Sequence, residues 1–121
     1  MAKRVLFVED DRVSVEYFTP MLEAIGCEVR WVGDGMKAIS EVFREPPHLI
    51  LLDLELPKMD GYTVCQTLKR SFPDTPIIIL TSHDSFTSRV RSVGEGADDY
   101  LSKPCSKEEL EAKLKPYLHH A

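Results

Sequence analysis

Several side chains in this sequence are of the types that hold a metal ion and handle a phosphate, and each follows a short apolar run. Glu9, Asp10 and Asp11 follow Val5-Leu6-Phe7-Val8, and Asp53 follows Leu49-Ile50-Leu51-Leu52. Thr81 and Ser82 follow Ile77-Ile78-Ile79-Leu80, and Lys103 lies just after Tyr100-Leu101. Carboxylates gathered at one place repel and need a counter-charge. Oxygen ligands without His or Cys suit Mg²⁺, which typically takes one or two carboxylates and a phosphate and keeps several waters. Lys103 and the Thr81 hydroxyl supply donors for phosphate oxygens. Phosphoryl transfer is mostly positioning and charge neutralisation, and a carboxylate can itself accept the group. There is no glycine-rich phosphate loop. Each residue alone has a plainer reading: Asp10 or Asp11 as a helix cap, Asp53 as the start of a turn with Pro57, Lys103-Pro104 as a turn. Their joint placement after successive runs favours a site.

The elements that position them follow from hydrophobic spacing. Three of the runs, Val5–Val8, Leu49–Leu52 and Ile77–Leu80, are apolar on consecutive residues, as strands covered on both faces of a parallel sheet read. Val29–Val32, with Arg30 interleaved and Glu28 before it, reads as an edge strand, and Tyr100-Leu101 as a weaker fifth. Helical spacing predicts buried stripes of Val13, Tyr17, Met21 and Ile25, then Met36, Ile39, Val42 and Phe43. Later stripes are Val64, Cys65 and Leu68, then Phe86, Val90 and Val93, then Leu110, Leu114 and Leu118. Ser106 and Glu109 form a capping-box pair. Pro20 falls inside the first helix and predicts a kink at Glu16–Pro20. The alternation is (βα)₅, an α/β three-layer domain with a parallel sheet. All strand carboxyl ends then share one edge, where ligands bind, so the polar residues converge.

Composition narrows the classes. The chain has 121 residues, 43% apolar and 29% charged, with a formal charge of -5. At roughly 100–200 residues per domain, one domain is expected over residues 1–121. The acidic balance and the lack of a basic run argue against direct nucleic-acid or membrane-surface binding. The apolar runs are too short to span a membrane, and no secretory leader is evident. Three widely spaced cysteines, Cys27, Cys65 and Cys105, read as reduced thiols, so a cytoplasmic location is expected. His119-His120 carry no weight.

The sequence resembles a response-regulator receiver domain along essentially its whole length. The resemblance rests on Glu9-Asp10-Asp11, on Asp53-Leu54-Glu55-Leu56-Pro57-Lys58-Met59-Asp60-Gly61, on Thr81-Ser82 and on Lys103-Pro104. It implies a flavodoxin-like, doubly wound five-stranded sheet of order 2-1-3-4-5. Asp53 is then the phosphoacceptor, served by a sensor histidine kinase or histidine phosphotransfer protein. Glu9, Asp10, Asp53 and the backbone carbonyl of Glu55 hold Mg²⁺, while Thr81 and Lys103 bind the phosphoryl oxygens. A cis Lys103–Pro104 peptide is implied, as is Tyr100 as the aromatic that turns inward with Thr81. The surface of helix 4, strand 5 and helix 5 reports the state to an unknown output protein or domain. Homodimerisation on phosphorylation is left open. Glu9 replaces the commoner Asp, and Cys105 stands where Phe is frequent. Glu55 and His83 flank the acceptor and are expected to tune the lifetime of the phosphoryl group.

Two other functions compete. A Mg²⁺-dependent phosphohydrolase would form the same aspartyl-phosphate, but Glu55 stands where such enzymes usually carry a second Asp, and little chain remains for a substrate cap. A purely structural, unphosphorylated receiver-like module would not need the full residue set. The chain ends soon after the fifth helix, so no output domain is expected within it.

Overall fold

The structure, a computed structural model, describes residues 2–82 and 85–118. The strands are β1 (Lys3–Val8), β2 (Cys27–Val32), β3 (Leu49–Leu52), β4 (Ile77–Thr81) and β5 (Asp99–Ser102). They alternate with α1 (Arg12–Ile25), α2 (Gly35–Arg44), α3 (Gly61–Ser71), α4 (Phe86–Gly94) and α5 (Lys107–Leu118). All strand pairs are parallel, in the expected order β2-β1-β3-β4-β5. The register sets Val8 beside Leu52, Leu52 beside Ile79, and Thr81 beside Ser102. The carboxyl ends of the central strands are therefore level.

Successive side chains on a strand point to opposite faces, and here both faces are covered. Val5, Phe7, Leu49, Leu51, Ile78 and Leu80 pack with Phe18 and Leu22 of α1 and Leu110 and Leu114 of α5. Leu6, Val8, Ile50, Leu52, Ile77 and Ile79 pack with Val42 of α2 and Val64 and Leu68 of α3. This two-sided burial is why the central strands read as unbroken apolar runs.

The helices correct part of the reading. The stripe of α1 is rotated: Val15, Phe18 and Leu22 are buried, Met21 and Ile25 pack at the margin, and Val13 and Tyr17 are exposed. In α2, Ala38 and Val42 are buried and Ile39 packs beside them, whereas Met36 and Phe43 face outward. The largest departure is α4. Phe86, Val90 and Val93 are 83%, 55% and 70% exposed, and the buried side chains are Ser88 and Ser92. This helix docks by hydroxyls, which apolar spacing cannot register. The α3 and α5 stripes are buried as expected.

Local signals hold at the helix ends. Ser106 and Glu109 exchange the two capping-box bonds, each 3.1 Å. Asp11, Asp34 and Asp60 cap α1, α2 and α3. α1 is continuous through Pro20; the ring leaves the Glu16 carbonyl without its i+4 donor but does not end the helix. Pro116 likewise lies inside α5.

Candidate functional site

The acidic residues leave the sheet at one edge. The Glu9 N–H donates to the Val32 carbonyl, and the Asp53 N–H donates to the Val8 carbonyl, both at 3.0 Å. The strand ladders thus extend one residue and fix both backbones. Glu9, Asp10 and Asp53 each offer a carboxylate oxygen, and these lie within 4.8 Å of one another. Glu9 and Asp53 are buried, while Asp10 is exposed.

Lys103, directly after β5, supplies the counter-charge. Its Nζ donates to Asp53 Oδ2 and to Ser14 Oγ, both at 3.0 Å, and to Glu9 Oε1. The Asp11 N–H donates to Glu9 Oε2 at 3.2 Å, and the Glu55 N–H donates to Asp53 Oδ1 at 3.1 Å. Burial, then the hydrogen bond and negative charge of Asp53, push Glu9 up to about 7 against the opposing pull of Lys103. Burial alone would depress Lys103, but its bond to Glu9 and the charges of Asp53 and Glu9 outweigh it and hold the ammonium above its usual range.

The donor set is hard oxygen throughout and one ligand faces solvent, which fits Mg²⁺ with its retained waters. Two close approaches shape the loop beyond Asp53. A Cβ at Gly61 would lie 2.6 Å from the Leu54 Cα, so only glycine lets α3 start against that loop. Lys58 in the same loop has φ 69°, a left-handed conformation unusual outside glycine.

The predicted residues largely meet. Thr81 is fully buried at the end of β4, and the Lys103 N–H donates to its carbonyl at 2.9 Å. Lys103–Pro104 is cis. Asp11 takes the capping role, its side chain accepting from the Val13 N–H at 3.0 Å. Glu55 is exposed, and Ser82 Oγ donates to its Oε1 at 3.4 Å. His83 lies outside the described residues. Two site residues escaped the sequence reading. Ser14 touches Lys103, and nothing in its spacing marked it. Trp31 donates its indole N–H to the Glu9 carbonyl at 2.6 Å; a polar-tipped aromatic at the end of an edge strand was the available signal.

The family model of the response regulator receiver domain matches residues 5–115. The chain belongs to that family. Response regulator MprA of Mycobacterium leprae (strain TN) is 40% identical over 115 residues, 95% of this chain but 50% of that protein. The chain thus spans about half the length of such relatives. The beryllofluoride-activated N-terminal receiver domain of Klebsiella pneumoniae RstA is 35% identical with a TM-score of 0.90, covering 97% of this chain and 99% of that one. The receiver domain of the Pseudomonas aeruginosa PAO1 sensor histidine kinase PA1611, solved with a magnesium ion in its active-site cleft, is 30% identical with a TM-score of 0.90. It covers 99% of this chain and 100% of its own. The fold is that of a response regulator receiver domain.

On the side of this receiver domain away from α1, Tyr100 is buried on β5, and Arg89 of α4 lies over its ring, 5.0 Å from the centroid. Arg89 also donates to Ser102 Oγ at 3.2 Å. No helix among the described residues is long and apolar enough to cross a membrane.

Proposed function

We propose that this receiver domain accepts a phosphoryl group on Asp53 from a phosphohistidine of a sensor kinase or phosphotransfer protein. An Asp53 carboxylate oxygen forms the new P–O bond as the P–N bond breaks, and the imidazole leaves with a proton from solvent. The observation that carries this reading is Lys103 bonded to the acceptor Asp53 at 3.0 Å, beside two further carboxylates. Glu9, Asp10 and Asp53, with the backbone carbonyl of Glu55, would hold Mg²⁺, which supplies charge neutralisation for the incoming phosphoryl oxygens. Lys103 and the Thr81 hydroxyl then bind those oxygens, and Glu55 and His83, each two residues after a site residue in the sequence, tune how fast water removes the group. The module is a phosphoacceptor, not a turnover enzyme.

Access and output are supported by two surfaces. Exposed Val13 and Tyr17 of α1 line an apolar groove with Ser82, Lys103 and Pro104, a seat for the donor protein beside the acceptor. The exposed Phe86, Val90 and Val93 of α4 make the face that an output partner or a second copy would cover. The buried free cysteines suit a reducing, cytoplasmic setting. The test is intact mass after incubation with Mg²⁺ and a small acyl phosphate. One phosphoryl group per chain is expected, not formed when Mg²⁺ is chelated beforehand and absent in Asp53→Asn; modification that persists in Asp53→Asn contradicts the assignment.

A further inference from the structure

α4 is tied to its neighbours by hydroxyls and cations. Its Ser88 Oγ lies 2.8 Å from the Tyr62 hydroxyl of α3 and 3.2 Å from the Tyr100 hydroxyl of β5. The three hydroxyls therefore form one chain across three elements, with Ser88 at its centre. Two stacks reinforce it. The Arg91 guanidinium sits 4.0 Å from the Tyr62 ring centroid, and Arg89 covers Tyr100. Arg91 also reaches Asp60, the cap of α3, at 3.4 Å. The other buried side chain of α4, Ser92, donates back to the Ser88 carbonyl at 2.8 Å and fixes the turn that carries Ser88.

Both ends of this chain lead to the phosphoacceptor. Tyr62 lies in the first turn of α3, which begins where the loop from Asp53 ends, and that loop is locked by Gly61 against Leu54. Tyr100 lies on β5, which ends immediately before Lys103. We infer that Ser88, itself anchored by Tyr62, is a positioning residue that holds Tyr100 inward, so that α3, α4 and β5 answer the charge state of Asp53 together. The inference rests on Asp53 and Tyr100 being the acceptor and the switch.

A hydroxyl chain centred on a buried serine makes such a coupling steep. Removing one member costs its neighbours one bond, and the loss falls on the conformer that needed it. If the inward conformer is the one that binds a phosphoryl group best, weakening it weakens phosphoryl binding by the same factor.

The experiment measures beryllofluoride binding in the presence of Mg²⁺, together with Mg²⁺ affinity alone and the ring resonances of labelled tyrosine. Wild type, Ser88→Ala, Tyr62→Phe and the double variant are compared. Each single variant is expected to weaken beryllofluoride binding about three- to tenfold, the size of one net hydrogen bond. The Tyr100 resonance should broaden or shift in both, Mg²⁺ affinity should stay at the wild-type value, and the double variant should lose no more than either single one. Unchanged or tighter beryllofluoride binding, additive losses, or an equal fall in Mg²⁺ affinity would each overturn the positioning role. If the wild-type Tyr100 resonance ignores beryllofluoride, the switch reading itself fails, and the inference falls with it.

Discussion

Lys103 is the residue on which the site's electrostatics turn. It is the only cation bonded to Glu9 and Asp53 among the described ion pairs, and both carboxylates are buried. Taking one partner from a buried charge group is costly because the others stay desolvated. Lys103→Ala should lower stability by about 3 kcal/mol in urea unfolding, and added Mg²⁺ should restore part of it by replacing the lost positive charge. No Mg²⁺-dependent recovery would mean that the carboxylates do not form a cation site. Most of this was legible in the residues, since Glu9, Asp10, Asp53 and Thr81 stand at the ends of plain apolar runs and Lys103 follows the weaker fifth. Ser14 and Trp31 were not, because their contacts depend on how α1 and β2 lean on the sheet edge. A second residue-level outcome concerns Cys65. Burial, chiefly, pushes its thiol up to about 12, and the Sγ lies 3.6 Å from the Glu95 carbonyl, to which it donates. The folded chain therefore keeps this proton where the unfolded chain has lost it. The stabilising contribution is complete below the ordinary value of 9.0 and is lost as pH rises towards about 12. Cys65→Ala should flatten that alkaline decline; an unaltered slope would assign it to other groups.

At the scale of elements, the strands were easy to read and the helix faces were not. A strand buried on both sides shows itself by composition alone, whereas a helix face requires knowing which residues meet the sheet. In α1, two apolar stripes exist, and the Val15, Phe18 and Leu22 stripe wins the core while Val13 and Tyr17 remain outside. In α4, the apolar stripe is the outer one because Ser88 and Ser92 make the inward contacts. Exposed positions away from specific contacts change stability little, within about 0.5 kcal/mol. The pair Val90→Lys and Val93→Glu should therefore leave the urea midpoint near wild type while abolishing any association that beryllofluoride induces. A large loss of stability would place that face in the core after all. Pro20 gives an opposite case. It is exposed and sits inside an intact helix, where proline costs up to about 3 kcal/mol relative to alanine. Pro20→Ala should raise the urea midpoint, and a lowered midpoint would show that the ring is needed where it stands.

For the whole molecule, the parallel (βα)₅ arrangement brings Glu9, Asp10, Asp53, Thr81 and Lys103 to one sheet edge. The charge of -5 argues against binding polyanions at large, yet part of it is concentrated where a cation and a phosphoryl group would meet. That local meaning was invisible in the total and appeared only once the strand order placed Glu9, Asp10 and Asp53 together. What separates a phosphorylated switch from a hydrolase with the same acceptor is the fate of the group after transfer. The most direct measurement supplies excess acyl phosphate with Mg²⁺ and follows inorganic phosphate released per chain beside the modified fraction of protein. The switch predicts modification approaching one phosphoryl group per chain, slow release, and neither in Asp53→Asn. Rapid release of many phosphates per chain, or release that survives Asp53→Asn, would contradict it.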